Sequence, residues 1–155
     1  MSVQIFRGLH QGSAVLVLPN AWDAGTARLI ESIGAKAIAT TSAGLAWARG
    51  YPDGNALPED QLLAAIRAIA RVIRVPLSTD IEAGYSEEPD AVASLVTRLL
   101  DIGVVGINIE DGAGSPVPPL ASSAFGTDRG PGFPVFCAHS RGPRVIALYG
   151  LLVGP

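Results

Sequence analysis

In the first 112 residues four apolar runs of strand length alternate with three segments of helical spacing, and this alternation limits the folds open to the chain. The runs are AVLVLPN (14–20), KAIATTSAG (36–44), the stretch opening PLSTDIEAG at residue 76, and VVGINIEDG (104–112). Each is apolar without a polar alternate face, the pattern of parallel strands covered by helices rather than of a half-solvated hairpin. Between them lie DAGTARLIESIG (23–34), PEDQLLAAIRAIARVI (58–73) and EEPDAVASLVTRLLDIG (87–103). The second of these is the clearest helix: Pro58 suits the first turn, Glu59 and Asp60 the positive end, and Leu62, Ile66, Ile69 and Ile73 one apolar stripe. The third carries Val92, Leu95, Val96 and Leu99 on its face and stops at Gly103. A doubly wound sheet and a (β/α) barrel both satisfy the alternation.

The polar residues gather where the strands run out: Asn20 and Asp23, Thr41 and Ser42, Asp80 and Glu82, Glu110 and Asp111. In parallel α/β architectures the carboxyl ends of the strands carry the site. Each acid alone could be a helix cap or a solvated strand end, and Asp23 suits an N-cap. Asp80 and Glu82 stand two apart; on a continuing strand they face one side, and two like charges held together call for a cation, a proton or water. Magnesium suits them, because it takes oxygen ligands, keeps several waters and uses one or two carboxylates directly. A carboxylate pair for sugar chemistry is the other option, without an aromatic platform to support it.

Other chemistries lack their residues. Neither a G-x-G-x-x-G after a strand nor a G-x-x-x-x-G-K-[ST] occurs, which removes the dinucleotide and P-loop folds, and with them most of the case for a flavodoxin-like binding domain. One cysteine, Cys137, and two isolated histidines, His10 and His139, form no zinc spacing and no internal disulfide. A net charge of −3 with scattered basic residues gives no footprint for nucleic acid or a membrane surface. No apolar run reaches the roughly 20 residues of a bilayer span, and the first residues lack the order of a signal peptide, so a cytoplasmic protein is expected.

Three segments carry a family likeness: LPNAWDAGTARLIESIGAKAIATTSAGLAWARGYPDG, VPLSTDIEAGYS and GVVGINIEDG. In this order they resemble the isocitrate lyase/phosphoenolpyruvate mutase superfamily from about Val15 to Gly112. The resemblance implies a TIM-barrel-type fold, oligomerisation, and magnesium-dependent chemistry on C–C or C–P bonds of small 2-oxo acids or phosphonates through an enolate. It further implies Asp80 as the direct Mg²⁺ ligand, with Glu82 and Glu110 acting through water. Asp53 in GYPDG would be the acid on the loop after the second strand, in a catalytic role. Ser42, Ala43 and Gly44 would cradle the substrate carboxylate or carbonyl by their N–H groups. The lyase branch has a Lys-x-Cys-Gly-His loop soon after the fourth strand's acids; EDGAGSPVPPLASS has neither Lys nor Cys, which argues against isocitrate or methylisocitrate cleavage by that route.

Composition changes abruptly near Ser115. Seven of the twelve prolines, but one of the fourteen acids (Asp128), fall in the last 40 residues. Residues 1–115 are therefore expected to form a partial barrel of about four β/α units, against the roughly 250 residues of a complete one. Residues 116–155 are expected to be an irregular tail outside the family, the product of a reading-frame change. A partial barrel has open strand edges and apolar surface, from which poor solubility or dimerisation is expected. The competing expectation is a non-catalytic remnant or interaction module of the same fold.

Overall fold

The computed structural model describes residues 3–11 and 15–109, together with two strands, Val135–Ala138 and Ala147–Gly150. Its centre is a four-stranded parallel sheet of β1 (Asn20–Ala21), β2 (Ile38–Thr40), β3 (Leu77–Asp80) and β4 (Gly106–Asn108). The spatial order equals the chain order, β1-β2-β3-β4. That order decides between the two candidate architectures. A doubly wound sheet reverses direction after its first strands, whereas a barrel adds each strand beside the last. The arrangement is the barrel type, with four consecutive strands.

Helices α2 (Ala24–Ser32), α4 (Glu59–Val72) and α5 (Pro89–Ile102) follow β1, β2 and β3. Together with the outward strand residues Ile38 and Leu77 they enclose the main core. The stripe expected on α4 is buried throughout, at Leu62, Ile66, Ile69 and Ile73, as are Val92, Leu95 and Leu99 on α5. On α5, Gly103 ends the helix at φ 102°, a left-handed position that favours glycine. Asp23 is the N-cap of α2: its carboxylate accepts from Thr26 N at 2.6 Å, and the Thr26 hydroxyl returns a bond to the cap backbone. These bonds hold its carboxyl below the usual range.

Three expectations need correction. The first strand is not residues 14–20; it is Asn20–Ala21, and Val15 and Val17 are 90% and 73% exposed. Among the described residues β1 is an edge of this sheet, so the run before it has no second strand to pack beside. Ile33 is exposed as well, because it caps α2 beyond its last packed turn. The run at 36–44 is strand only over β2, and its end opens a helix, α3 (Ser42–Trp47), capped by Thr41. Within the segment expected to be irregular, β5 (Val135–Ala138) and β6 (Ala147–Gly150) pair antiparallel; the rest of residues 110–155 lies outside the described residues. No described helix is long and apolar enough to cross a membrane.

The sheet face away from α2, α4 and α5 meets α1 (Val3–His10), an element the strand–helix pattern did not announce. Phe6 is fully buried there, clustered with Ala37 and Val105. A Cβ on Gly106 would come within 2.7 Å of the Phe6 ring and 3.0 Å of Ser78 Oγ. Ser78, Gly106 and Phe6 therefore share this inner face, and period-2 alternation puts Asp80 and Asn108 on it, one step nearer the strands' C-terminal ends.

A carboxylate ties the other layer together. Glu31 at the end of α2 accepts from Arg74 N at 2.5 Å and Val75 N at 3.1 Å, and pairs with Arg28. The Arg74 backbone bond, then the others, hold its carboxyl below the usual carboxylate range. A depressed carboxylate stabilises the fold above its unfolded pKa, and that contribution vanishes as pH falls through the folded value. Glu31→Gln is thus expected to lower Tm by about 2–4 °C at pH 7, the shift that about 1 kcal/mol causes in a chain of this size. The difference from the parent should close below the unfolded carboxylate's pKa, and calorimetric melts between pH 3 and 7 check it.

Candidate metal and substrate site

The C-terminal end of β3 is where the inner face turns polar. Asp80 closes the strand, and both its oxygens are oriented by the protein. Oδ2 accepts from Ser42 Oγ at 3.1 Å and more weakly from Ser42 N at 3.4 Å. Oδ1 accepts from Glu82 N at 3.0 Å. Asp80 N itself donates to Thr40 Oγ1 at 3.0 Å, locking β3 to β2 at this level. A carboxylate offers about four lone-pair sites, so these bonds fix its direction and leave it able to accept more.

Beyond Asp80 the chain does not stay extended, and the convergence argued from i, i+2 spacing does not apply. Glu82 has φ 50°, Gly84 φ 88° and Tyr85 φ 63°, three left-handed positions within four residues. Such backbone costs energy at non-glycine residues and persists where the surroundings impose it. Gly84 is needed for a second reason: a Cβ would meet both Val92 methyls at 3.1 Å and Ile109 Cδ1 at 3.2 Å. The turn sends the two carboxylates to different partners. Asp80 is held from the β2 side, whereas buried Glu82 accepts from Asn55 N on the loop after α3.

That loop, residues 51–58, carries Asp53, whose side chain is exposed. One group senses all of these acids. The Tyr85 phenol is pushed well above its usual range, by burial first and then by the charges of Glu82, Asp80, Asp53 and Glu59. The loop, the end of β3 and the start of α4 therefore share one acidic neighbourhood. A phenol in that field stays neutral.

Of the expected substrate cradle, two N–H groups are engaged within the protein. Ser42 N donates to Asp80, and Gly44 N donates to the Thr41 cap at 3.4 Å. Gly44 also answers to packing, because a Cβ would approach Thr41 Cγ2 to 2.6 Å and Trp22 Cβ to 3.0 Å. Ala43 lies between them in the first turn of α3. Glu110 falls outside the described residues, and among those described no three His, Cys, Asp or Glu side chains gather as a metal site. What the described residues provide is oxygen alone: the Asp80 and Glu82 carboxylates, the Ser42 hydroxyl, and the buried Asn108 Oδ1, which has no hydrogen-bond partner among the described residues. An all-oxygen donor set with an unengaged buried acceptor fits a hard cation such as Mg²⁺ and would not suit zinc or copper.

Sequence reasoning missed Asn55, Tyr85 and Asn108. Asn108 was within reach, since in GINIEDG it alternates with Gly106 and Glu110. Asn55 carries no signal beyond its turn-forming neighbours.

Parallel strands in barrel order, with hydroxyl, amide and carboxylate groups at their C-terminal ends, define a (β/α)-barrel-type enzyme scaffold. The chain belongs to the phosphoenolpyruvate phosphomutase family, whose model matches residues 6–127, within the isocitrate lyase/phosphoenolpyruvate mutase superfamily. The matched range begins before Val15 and ends at residue 127. An uncharacterised protein of Mycobacterium tuberculosis is 40% identical over 120 residues, covering 76% of this chain and 45% of that protein. The 2-methylisocitrate lyase of Escherichia coli is 32% identical over 94 residues, 60% of this chain and 32% of that enzyme. Among solved structures, a Burkholderia cenocepacia protein assigned to the phosphonomutases superposes with a TM-score of 0.74 at 36% identity, over 78% of this chain and 49% of that one. A phosphonopyruvate hydrolase solved with oxalate and Mg²⁺ superposes at 0.68 and 26% identity, over 75% of this chain and 40% of that one. The chain spans less than half the length of these relatives.

Proposed function

We propose that this chain carries the magnesium-binding strand ends of a lyase, phosphonomutase or phosphonopyruvate-hydrolase-type enzyme, acting on a C–C or C–P bond of a small 2-oxo acid or phosphonate. The observation that carries this is Asp80: a carboxylate at the C-terminal end of a barrel strand, held by Ser42 on one oxygen and by the Glu82 backbone on the other. Asp80 would hold Mg²⁺ directly, with Glu82 and Glu110 reaching it through water. Bound there, the ion would stabilise negative charge that develops on a substrate oxygen as the bond breaks. The rest falls to the chain's own groups. Ser42 and the left-handed turn at Glu82 keep Asp80 aimed before any ligand arrives, so orientation is settled in advance. Asp53, on the loop anchored through Asn55 to Glu82, is the acid placed to meet substrate from solvent. The first turn of α3, at Ser42, Ala43 and Gly44, faces the carboxylate or carbonyl end. The absence of Lys and Cys from residues 110–123 directs the proposal away from methylisocitrate cleavage and towards phosphonopyruvate or oxaloacetate.

Calorimetric titration with Mg²⁺, followed by turnover assays on phosphonopyruvate, oxaloacetate and 2-methylisocitrate with and without chelator, tests this. Saturable binding and magnesium-dependent turnover of one of the first two substrates is the expected result. Binding without turnover of any of the three would favour the non-catalytic module. Absence of any binding would end the magnesium proposal.

A further inference from the structure

We propose that Asn108 is a positioning residue of the same site, its Oδ1 accepting a hydrogen bond from a water of the hydrated cation on the β4 side of Asp80. The inference rests on the magnesium reading above.

Its basis is geometric. Asp80 and Asn108 are register partners in the parallel β3–β4 pair, two residues beyond the Ser78–Gly106 pair. Gly106 and Ser78 face inward against Phe6, so alternation carries Asp80 and Asn108 to the same side. Asn108 is also held at the strand end by its backbone, since Ile81 N donates to its carbonyl at 3.0 Å. Ser42 reaches Asp80 from β2, leaving the β4 flank to Asn108. Its Oδ1 is buried and takes no hydrogen bond from any described residue. Buried polar atoms ordinarily have partners, and one without calls for a ligand or a water.

The chemistry of the amide suits that place. Asp80, Glu82 and Asp53 already concentrate negative charge around Tyr85. A further carboxylate would add repulsion in the metal-free protein, whereas a neutral carbonyl oxygen offers a lone pair without charge. Groups that hold a metal's waters or ligands from outside typically change affinity about 10- to 100-fold when removed.

Asn108→Leu keeps the branched heavy-atom shape and deletes the oxygen. If Asn108 merely fills space, the variant should bind Mg²⁺ as the parent does. The proposal expects about tenfold weaker binding by calorimetry, with a metal-free Tm unchanged or raised because an unengaged buried acceptor is gone. Asn108→Asp, which restores an oxygen, should recover affinity. Asn108→Ser, which withdraws the oxygen with little change in polarity, should repeat the loss and serves if the leucine variant does not fold. Unchanged affinity in the folded variants, with the parent still binding and Asp80→Asn not binding, overturns this inference and leaves the magnesium reading standing. A parent that binds no Mg²⁺ overturns both.

Discussion

Phe6→Ala is expected to destabilise the protein by about 3–5 kcal/mol, the cost of removing a fully buried aromatic ring. The reasoning starts from a single contact. Phe6 has no exposed surface, and its ring lies where a side chain on Gly106 would have to be. With Ala37 and Val105 it forms the small cluster that closes the inner face of the sheet below the polar end. Truncation leaves a void that neither Gly106 nor Ala37 can fill, since both are among the smallest residues. Total stabilities of domains are about 5–15 kcal/mol, so the loss is a large share of the whole. The fall in Tm should be on the order of ten degrees. Ile5, its neighbour on the same helix, is 53% exposed, and Ile5→Ala should stay within about 0.5 kcal/mol. Urea unfolding of both variants provides the check. A Phe6→Ala cost near that of Ile5→Ala would mean that α1 is not what closes this end.

Asp80→Asn is expected to weaken Mg²⁺ binding by about 100-fold or more, beyond the range for groups acting through a metal's outer shell. The substitution preserves shape but removes the charge, and it replaces one acceptor oxygen with a donor amide. Ser42 N, Ser42 Oγ and Glu82 N all point at the existing oxygens, so the new amide must set a donor against a donor on one side. Magnesium-dependent turnover should fall with binding. Metal-free stability should change little, because an acid is also removed from the cluster around Tyr85. The two effects separate in one experiment. The parent's Tm should rise with Mg²⁺, by the equivalent of about 2.7 kcal/mol at a hundred times Kd, whereas the variant's should not move. A variant that still rises with Mg²⁺ would remove Asp80 from the site.

The two substitutions act on one sheet face at different heights, and they show why reading the sequence succeeded unevenly. Helices α4 and α5 were legible because each buries one full stripe, and that stripe repeats with the period of the helix itself. Glu59 and Asp60 at one end and Gly103 at another marked boundaries by local chemistry. Shorter elements failed the same test. α1 has eight residues and α3 six, too few turns for periodicity to stand out from noise. α3 exists because Thr41, directly before it, caps it and because Gly44 allows Trp22 to approach, and the second contact reaches a distant part of the chain.

The site divides in the same way. That Asp80 would end a strand followed from the apolar run before it. That Glu82 would leave the strand's line did not, because the left-handed turn at residues 82–85 is imposed by packing of Gly84 under Val92 and Ile109 and by the anchor to Asn55. Asn55 is 27 residues away in the chain, and no local pattern links the two.

By itself, then, the order of residues determined the alternation, the helix faces and which strand ends would be polar, since all three depend on neighbours within a few positions. The resemblance carried by three segments already implied the barrel, and the strand order bears it out. The tertiary structure alone decided that α1 plugs the inner face and that Asn108 stands beside Asp80. Those outcomes depend on which distant surfaces exclude water together, and burial is a property of the assembled layers rather than of any one segment.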